Sequence, residues 1–211
     1  FRSPVYTYWH GFVWLDIQTG IRSTNIAKAF RSMVHGEAFT PEFLGALLAS
    51  VHDHQVKTEL LPMGKIHNKA VFEQRGFINF AYTFQEFRDS RRWMALGFER
   101  ARENFLAQST PDGVQREWSY GYHQGVLRDA IEIRGRMESV GLPIPDDYDE
   151  RIRKMHDYIF AVATPDLGAP MFGDGSRPLK ETDDRSGWPL YSVLVEATDL
   201  LDDPKYAARA K

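Results

Sequence analysis

A chain of 211 residues with 43% hydrophobic and 13% aromatic side chains can bury a real core, yet its length is small for several domains. Its 26 Lys and Arg against 29 Asp and Glu leave a formal charge of −3, which excludes the basic footprint of a duplex-binding protein, so no nucleic acid partner is expected. The absence of cysteine removes disulfides, thiolate zinc sites and a cysteine nucleophile. No apolar run approaches the ~20 residues that span a bilayer, so no membrane partner is expected either.

The chain opens on Phe1-Arg2-Ser3-Pro4 in place of a start methionine and a signal core, and the stretch from Asp202 to Arg209 reads as a helix beginning. Both features suggest a piece of a longer polypeptide, read here as one helical domain fragment over 1–211. Trp14, Ile17, Ile21, Ile26, Phe30 and Met33 form a first apolar stripe at helical spacing, closed by His35-Gly36. Thr40-Pro41-Glu42 predicts a capped start for a second helix carrying Phe43, Leu47, Leu48 and Val51. After a break at Leu61-Pro62-Met63-Gly64, a third helix runs from Asn68 through Val71, Phe72 and Phe77 to about Phe80.

Asp89-Ser90 then caps a helix with Trp93, Leu96, Phe98, Phe105 and Leu106, and Thr110-Pro111-Asp112-Gly113 is a turn. A helix over 118–140 follows, interrupted by Pro143 to Asp147 and continued from Tyr148 to Ala163 with Ile152, Met155, Ile159 and Phe160 inward. From Thr164 to Gly187 the composition turns to Pro, Gly and Asp, a loop of ~20 residues, long enough to suggest function or disorder. Trp188 restarts a helix through Leu190, Val193 and Leu194. About seven helices fit this pattern, so the fold class is all-α, an array of helical hairpins forming a solenoid or a closed toroid.

Phosphate loops, nucleophile elbows and paired-histidine zinc helices are missing, which leaves polar clusters. His52 and His54 lie two apart and point in different directions on a helix, so no metal site is expected there. Asn68 stands at a helix start, where it is either an N-cap worth ~1 kcal/mol or a substrate-binding amide. Trp118 and Tyr122, one turn apart, read on spacing as an aromatic core patch. Arg88, Arg91 and Arg92 read as a solvated face.

Asn68 to Phe77, continuing from Phe84 to Trp93, resembles the heparinase II/III family of polysaccharide lyases, especially its heparinase III branch. Asp112-Gly113-Val114-Gln115 with Glu117, Ser119, Tyr122 and His123 resembles a second block of that family, and Ala169 to Asp174 a third. The 54-residue separation of Asn68 and Tyr122 also fits. The resemblance implies helical hairpins of an incomplete (α/α) toroid, with the family's C-terminal β-sandwich absent from this chain. It implies β-elimination at a uronic acid of a heparan sulfate or heparin-like chain or another glycosaminoglycan.

In that reading Asn68 neutralises the uronate carboxylate and Tyr122 is the acid or base, with His67, Glu117, His123 and Asp174 as substrate contacts. Here Lys69 follows the Asn and His67 precedes it, where the nearest branch has a His just after the Asn. Base work by a phenol needs a nearby cation, for which His123, Arg116 and Arg128 are candidates. A further catalytic His is expected from the sandwich, so the fragment alone is expected to be inactive. No cofactor is expected in this chain, any divalent metal belongs to the sandwich, and the partners are an acidic polysaccharide and the remaining polypeptide. Periplasmic or secreted residence follows by the same resemblance. Two readings compete: an inverting hydrolase using Glu73 and Glu117, and a carbohydrate-binding module without catalysis using Trp9, Trp14, Trp118 and Tyr120.

Overall fold

The computed structural model describes residues 12–37, 39–60, 63, 66–170, 173–174 and 189–210. Among these residues every regular element is a helix: a 3-10 turn at Phe12–Trp14, then α1 (Asp16–Met33), α2 (Pro41–Leu60), α3 (Asn68–Thr83), α4 (Ser90–Gln108), α5 (Tyr120–Ser139), α6 (Asp146–Val162), α7 (Tyr191–Leu201) and α8 (Lys205–Ala210). The all-α expectation is therefore met, with one helix more than the stripe count gave. The chain packs as two compact units. One comprises Phe1–Phe105 with Glu132–Pro143, the other Leu106–Ile131 with Ile144–Lys211. Most of the break at Leu61 to Gly64, most of the Pro- and Gly-rich loop, Trp9 and Trp188 lie outside the described residues.

In the first unit the local signals act as read. Thr40 Oγ1 accepts the Phe43 amide at 3.2 Å, so the helix start predicted at Thr40-Pro41 is a side-chain cap followed by a proline that has no amide to satisfy. At the other end of α2, Arg100 donates to the carbonyls of Thr58 and Glu59 at 2.7 and 3.2 Å, answering acceptors that have no partner within the helix. The core joins Ala27, Val51, Phe80 and Phe84, with Ile26, Phe30, Leu47, Leu48 and Phe87 packed around them. Trp93 is buried and its indole N–H reaches Glu59 at 2.9 Å, which lets a large aromatic enter the core without an unmet donor.

Helices α1 and α3 meet at two glycines. A Cβ on Gly20 would lie 2.0 Å from the Phe72 carbonyl oxygen, and one on Gly76 would lie 2.5 Å from the Gly20 carbonyl oxygen. Only hydrogen side chains permit this approach. Nearby, Lys57 and Glu73 form a buried ion pair at 2.5 Å. His54 turns inward, donating from Nδ1 to Ser50 and accepting from Arg22 at Nε2, while His52 is exposed, so the two rings do point apart.

In the second unit, the Thr110–Gly113 turn closes with the Gly113 amide on the Thr110 carbonyl at 2.9 Å. Gly113 has φ +91° and its Cα faces the Lys154 carbonyl so closely that a Cβ would sit 2.3 Å from it. Arg151 of α6 ties the same turn down through Leu106 and Ser109. Three aspartates, Asp146, Asp147 and Asp149, occupy the first turn of α6, where the helix dipole favours negative charge. Ile152, Met155 and Ile159 are buried as predicted, and Tyr148 reaches the Ala130 carbonyl at 3.1 Å.

Candidate active site

The approach to α5 is a self-bonded bend. Gln115, buried, receives the Glu117 amide at its side-chain oxygen (2.8 Å) and donates from Nε2 to the Glu117 carboxylate (2.9 Å), and the Trp118 amide reaches the Gln115 carbonyl at 3.2 Å. These bonds bring Trp118 to φ +56°, the left-handed region that a bulky side chain rarely enters. The helix therefore begins at Tyr120 and not at 118. Trp118 is 64% exposed, so the spacing-based reading of Trp118 and Tyr122 as an aromatic core patch is corrected: the bend removes Trp118 from the helix, and Tyr122 stands at the surface too, 36% exposed. Tyr120, which the binding-module reading took as exposed, is buried.

Asp174 lies against this bend. Gly173 has φ +75°, and a Cβ there would come within 2.2 Å of the Trp118 carbonyl oxygen, so only glycine lets the backbone pass. Ser119 Oγ donates to the Asp174 carbonyl, and the Tyr122 hydroxyl donates to Asp174 Oδ2 at 2.8 Å. That bond to a carboxylate, together with its charge, raises the phenol above its ordinary value, with Glu117 adding in the same direction. The group that meets the phenol is the Asp174 carboxylate and not the cation sought at His123, Arg116 or Arg128.

His123 points the other way. It is 2% exposed, its Nε2 meets the Met155 carbonyl at 3.1 Å, and its ring packs on Tyr158 with centroids 4.8 Å apart. A carbonyl takes an N–H, so Nε2 carries the proton, and burial pushes the imidazole down to about 4. The ring expected at the substrate is thus turned into the unit, supporting α5 on α6. A signal for this was present: His123, Val126, Leu127 and Ala130 fall at i, i+3, i+4 and i+7, and all are buried. Glu117 is exposed on the bend.

Asn68 and His67 belong to the first unit. The cap of α3 is His67 and not Asn68, a correction to the N-cap reading. His67 is extended (φ −163°, ψ 176°), as a cap must be, and its Nδ1 accepts the Lys69 amide at 3.1 Å, whereas Asn68 already has helical geometry. The other ring nitrogen of His67 lies 3.7 Å from Asp16. With the cap supplied by its neighbour, Asn68 occupies the first turn of α3, where backbone amides attract anions, and it is only 8% exposed, which restricts its amide to few orientations.

Glu73, offered as a hydrolytic carboxylate, is bound to Lys57 inside the first unit. Two residues of this region escaped the sequence reading in their actual roles. Ser119 anchors the Asp174 backbone, and Asp174 faces the phenol; neither partnership has a local periodicity that could announce it, because 55 and 52 residues separate the partners.

Comparison with known proteins agrees with the resemblance. Residues 3–186 match the family model described as Heparinase II/III N-terminus. A heparin-sulfate lyase of Pedobacter heparinus is 29% identical over 167 residues, covering 77% of this chain and 25% of the relative. One from Bacteroides stercoris is 25% identical over 166 residues, covering 77% and 25%. The chain thus spans about a quarter of the length of the curated relatives it matches. Among solved structures, a heparinase III superposes with TM-score 0.79 at 20% identity over 96% of this chain and 31% of that one. The Pedobacter heparinus heparan sulfate lyase does so with TM-score 0.72 at 24% identity over 95% and 31%. At these identities the structural likeness carries the fold alone, the helical fold of heparinase III.

Proposed function

From the premise that this chain belongs to the heparinase II/III family, we propose that the protein it forms part of is a polysaccharide lyase. It cleaves a uronic-acid-containing glycosaminoglycan by β-elimination, in the periplasm or outside the cell. The observation that carries this reading is the exposed Tyr122 hydroxyl, held at 2.8 Å on a carboxylate beside an exposed aromatic. The names of the curated relatives, heparin-sulfate lyases, support the substrate class.

The chemistry needs two things from these residues. Removing the C5 proton of a uronate places a second negative charge beside a carboxylate, and the Asn68 amide donates hydrogen bonds to that carboxylate as the charge develops. The C5–H electron pair forms the C4–C5 double bond, the C4–O bond breaks, and the departing oxygen takes the Tyr122 proton; water returns a proton to the phenolate. The proton from C5 goes to a base supplied by the rest of the polypeptide, the His that the resemblance expects from the β-sandwich. No organic cofactor enters this scheme, and any divalent metal would belong to the sandwich. Glu117 and the exposed Trp118, both on the bend before α5, offer the polymer a contact beside Tyr122.

A second reading, a binding module without turnover, is favoured by Trp118 itself, exposed although strained. The two readings separate on one assay. The complete protein is incubated with a panel of uronate polymers while ultraviolet absorbance of the unsaturated uronide is followed, beside Asn68→Ala and Tyr122→Phe. Absorbance that rises with one polymer and is lost in either folded variant supports elimination. Reducing ends without the chromophore make the protein a hydrolase, and binding without either signal leaves the module.

A further inference from the structure

The phenol of Tyr122 is offered two roles by β-elimination, donor to the leaving oxygen or acceptor of the C5 proton, and the reading above does not by itself explain why it takes the first. The surroundings of the hydroxyl decide between them. Asp174 is delivered to Tyr122 by three attachments of different kinds: the side-chain-free Gly173 lying on the Trp118 carbonyl, the Ser119 hydroxyl on the Asp174 carbonyl, and the phenol on the Asp174 carboxylate. The first two fix the backbone, so the carboxylate is presented by a held main chain and not by a wandering side chain.

We propose that Asp174 is a positioning residue for Tyr122, orienting its hydroxyl and keeping it protonated, so that Tyr122 serves as proton donor and the C5 base is another group. The inference rests on the reading of Tyr122 as a residue of the elimination. A carboxylate that accepts the phenol's proton stabilises the neutral phenol and opposes a phenolate at the same place. The hydroxyl meets Asp174, which lies after α6, and the charge of Glu117, from the bend before α5, acts on it as well. Both are anionic, so both act in one direction. His123, next to Tyr122 in sequence, is turned inward onto Met155 and Tyr158 and contributes no positive charge.

Such a phenol can still transfer its proton, because a departing alkoxide is far more basic than a phenolate. The O–H swings from Asp174 to the glycosidic oxygen as negative charge builds there, and the phenolate left beside a carboxylate recaptures a proton from water readily, which favours turnover.

The test uses the complete protein labelled with tyrosine 13C at the ring carbon bearing the hydroxyl, with Tyr122 assigned by its loss in Tyr122→Phe. In Asp174→Asn, which keeps an acceptor but removes the charge, the Tyr122 titration is expected to move to lower pH. Ser119→Ala, which releases the Asp174 backbone, is expected to move it the same way by less. In the elimination assay the alkaline limb of kcat/KM moves down with it. A Tyr122 titration unchanged in folded Asp174→Asn overturns the pairing. Movement of the acid limb in place of the alkaline one overturns the donor role. If no polymer gives the chromophore, the elimination reading fails, while the titration still decides whether Asp174 governs the phenol.

Discussion

Glu73 provides the sharpest test of how this helical scaffold is built, because two opposed predictions meet on it. Its carboxylate and the Lys57 ammonium lie 2.5 Å apart with side chains 7% and 3% exposed, so each charge relies on the other. Glu73→Gln leaves an amine buried without its counter-charge, which costs about 3–5 kcal/mol. With a urea m-value of about 2 kcal/mol/M, the midpoint of helix loss should fall by about 2 M. Replacing both partners by apolar residues of similar volume, Lys57→Met with Glu73→Leu, removes the two desolvated charges together, and such exchanges are neutral or stabilising by about 1–4 kcal/mol. The double variant should therefore recover most or all of the midpoint. Urea titrations of the wild type, Lys57→Met, Glu73→Leu and the double variant, followed by circular dichroism, give the cycle, with Glu73→Gln measured beside them. A double variant as unstable as Glu73→Gln would refute the buried-pair account. The same protein answers the chemical question: full cleavage by the double variant excludes Glu73 as a hydrolytic carboxylate, and abolished cleavage with an intact fold would restore that role.

Three further outcomes follow from the geometry. Gly76→Ala drives a methyl to 2.5 Å from the Gly20 carbonyl oxygen, a backbone atom that cannot swing aside; the α1–α3 crossing should lose about 1–3 kcal/mol, read as a drop in Tm, and an unchanged Tm would refute the close approach. Burial holds His54 and His123 at about 4, while unfolded imidazoles titrate near 6.5, so protons enter the unfolded chain first as the pH falls. Stability is whole above about 6.5 and is lost from there down through about 4, by at most about 3 kcal/mol per ring. Urea midpoints taken across that window should slope, and His123→Gln should remove its share of the slope; identical slopes would remove His123 from the account. Trp118→Gly should hold or raise the urea midpoint, because left-handed strain of about 1–2 kcal/mol is relieved, while polymer affinity falls as the exposed ring is lost; a lower midpoint with unchanged affinity would make Trp118 structural.

Where one residue's conformational preference decides a boundary, the sequence announces the fold. Thr40-Pro41 starts α2 because a hydroxyl cap and a missing amide suit the same end of a helix, and Pro145 precedes α6 for a related reason. The bend before α5 defeats that logic. Nothing in Glu117-Trp118-Ser119 warns of a left-handed tryptophan, since the conformation is imposed by Gln115, which bonds both sides of Glu117, and by a glycine 55 positions along the chain that fills no space. Asn68 is the converse case, a good cap by type whose neighbour took the cap because His67 had the extended backbone. Both misreadings arise at the residues to which the resemblance assigns chemistry. That coincidence has a physical basis: His67 takes the cap that Asn68 suits by type, and Gln115 and Ser119 hold the bend that sets Tyr122 at the surface, bonded to Asp174. Local periodicity sees caps and core positions and not the bonds that reassign them, so the polar residues that take a cap from a neighbour or hold a bend are the ones to look for beside a candidate site.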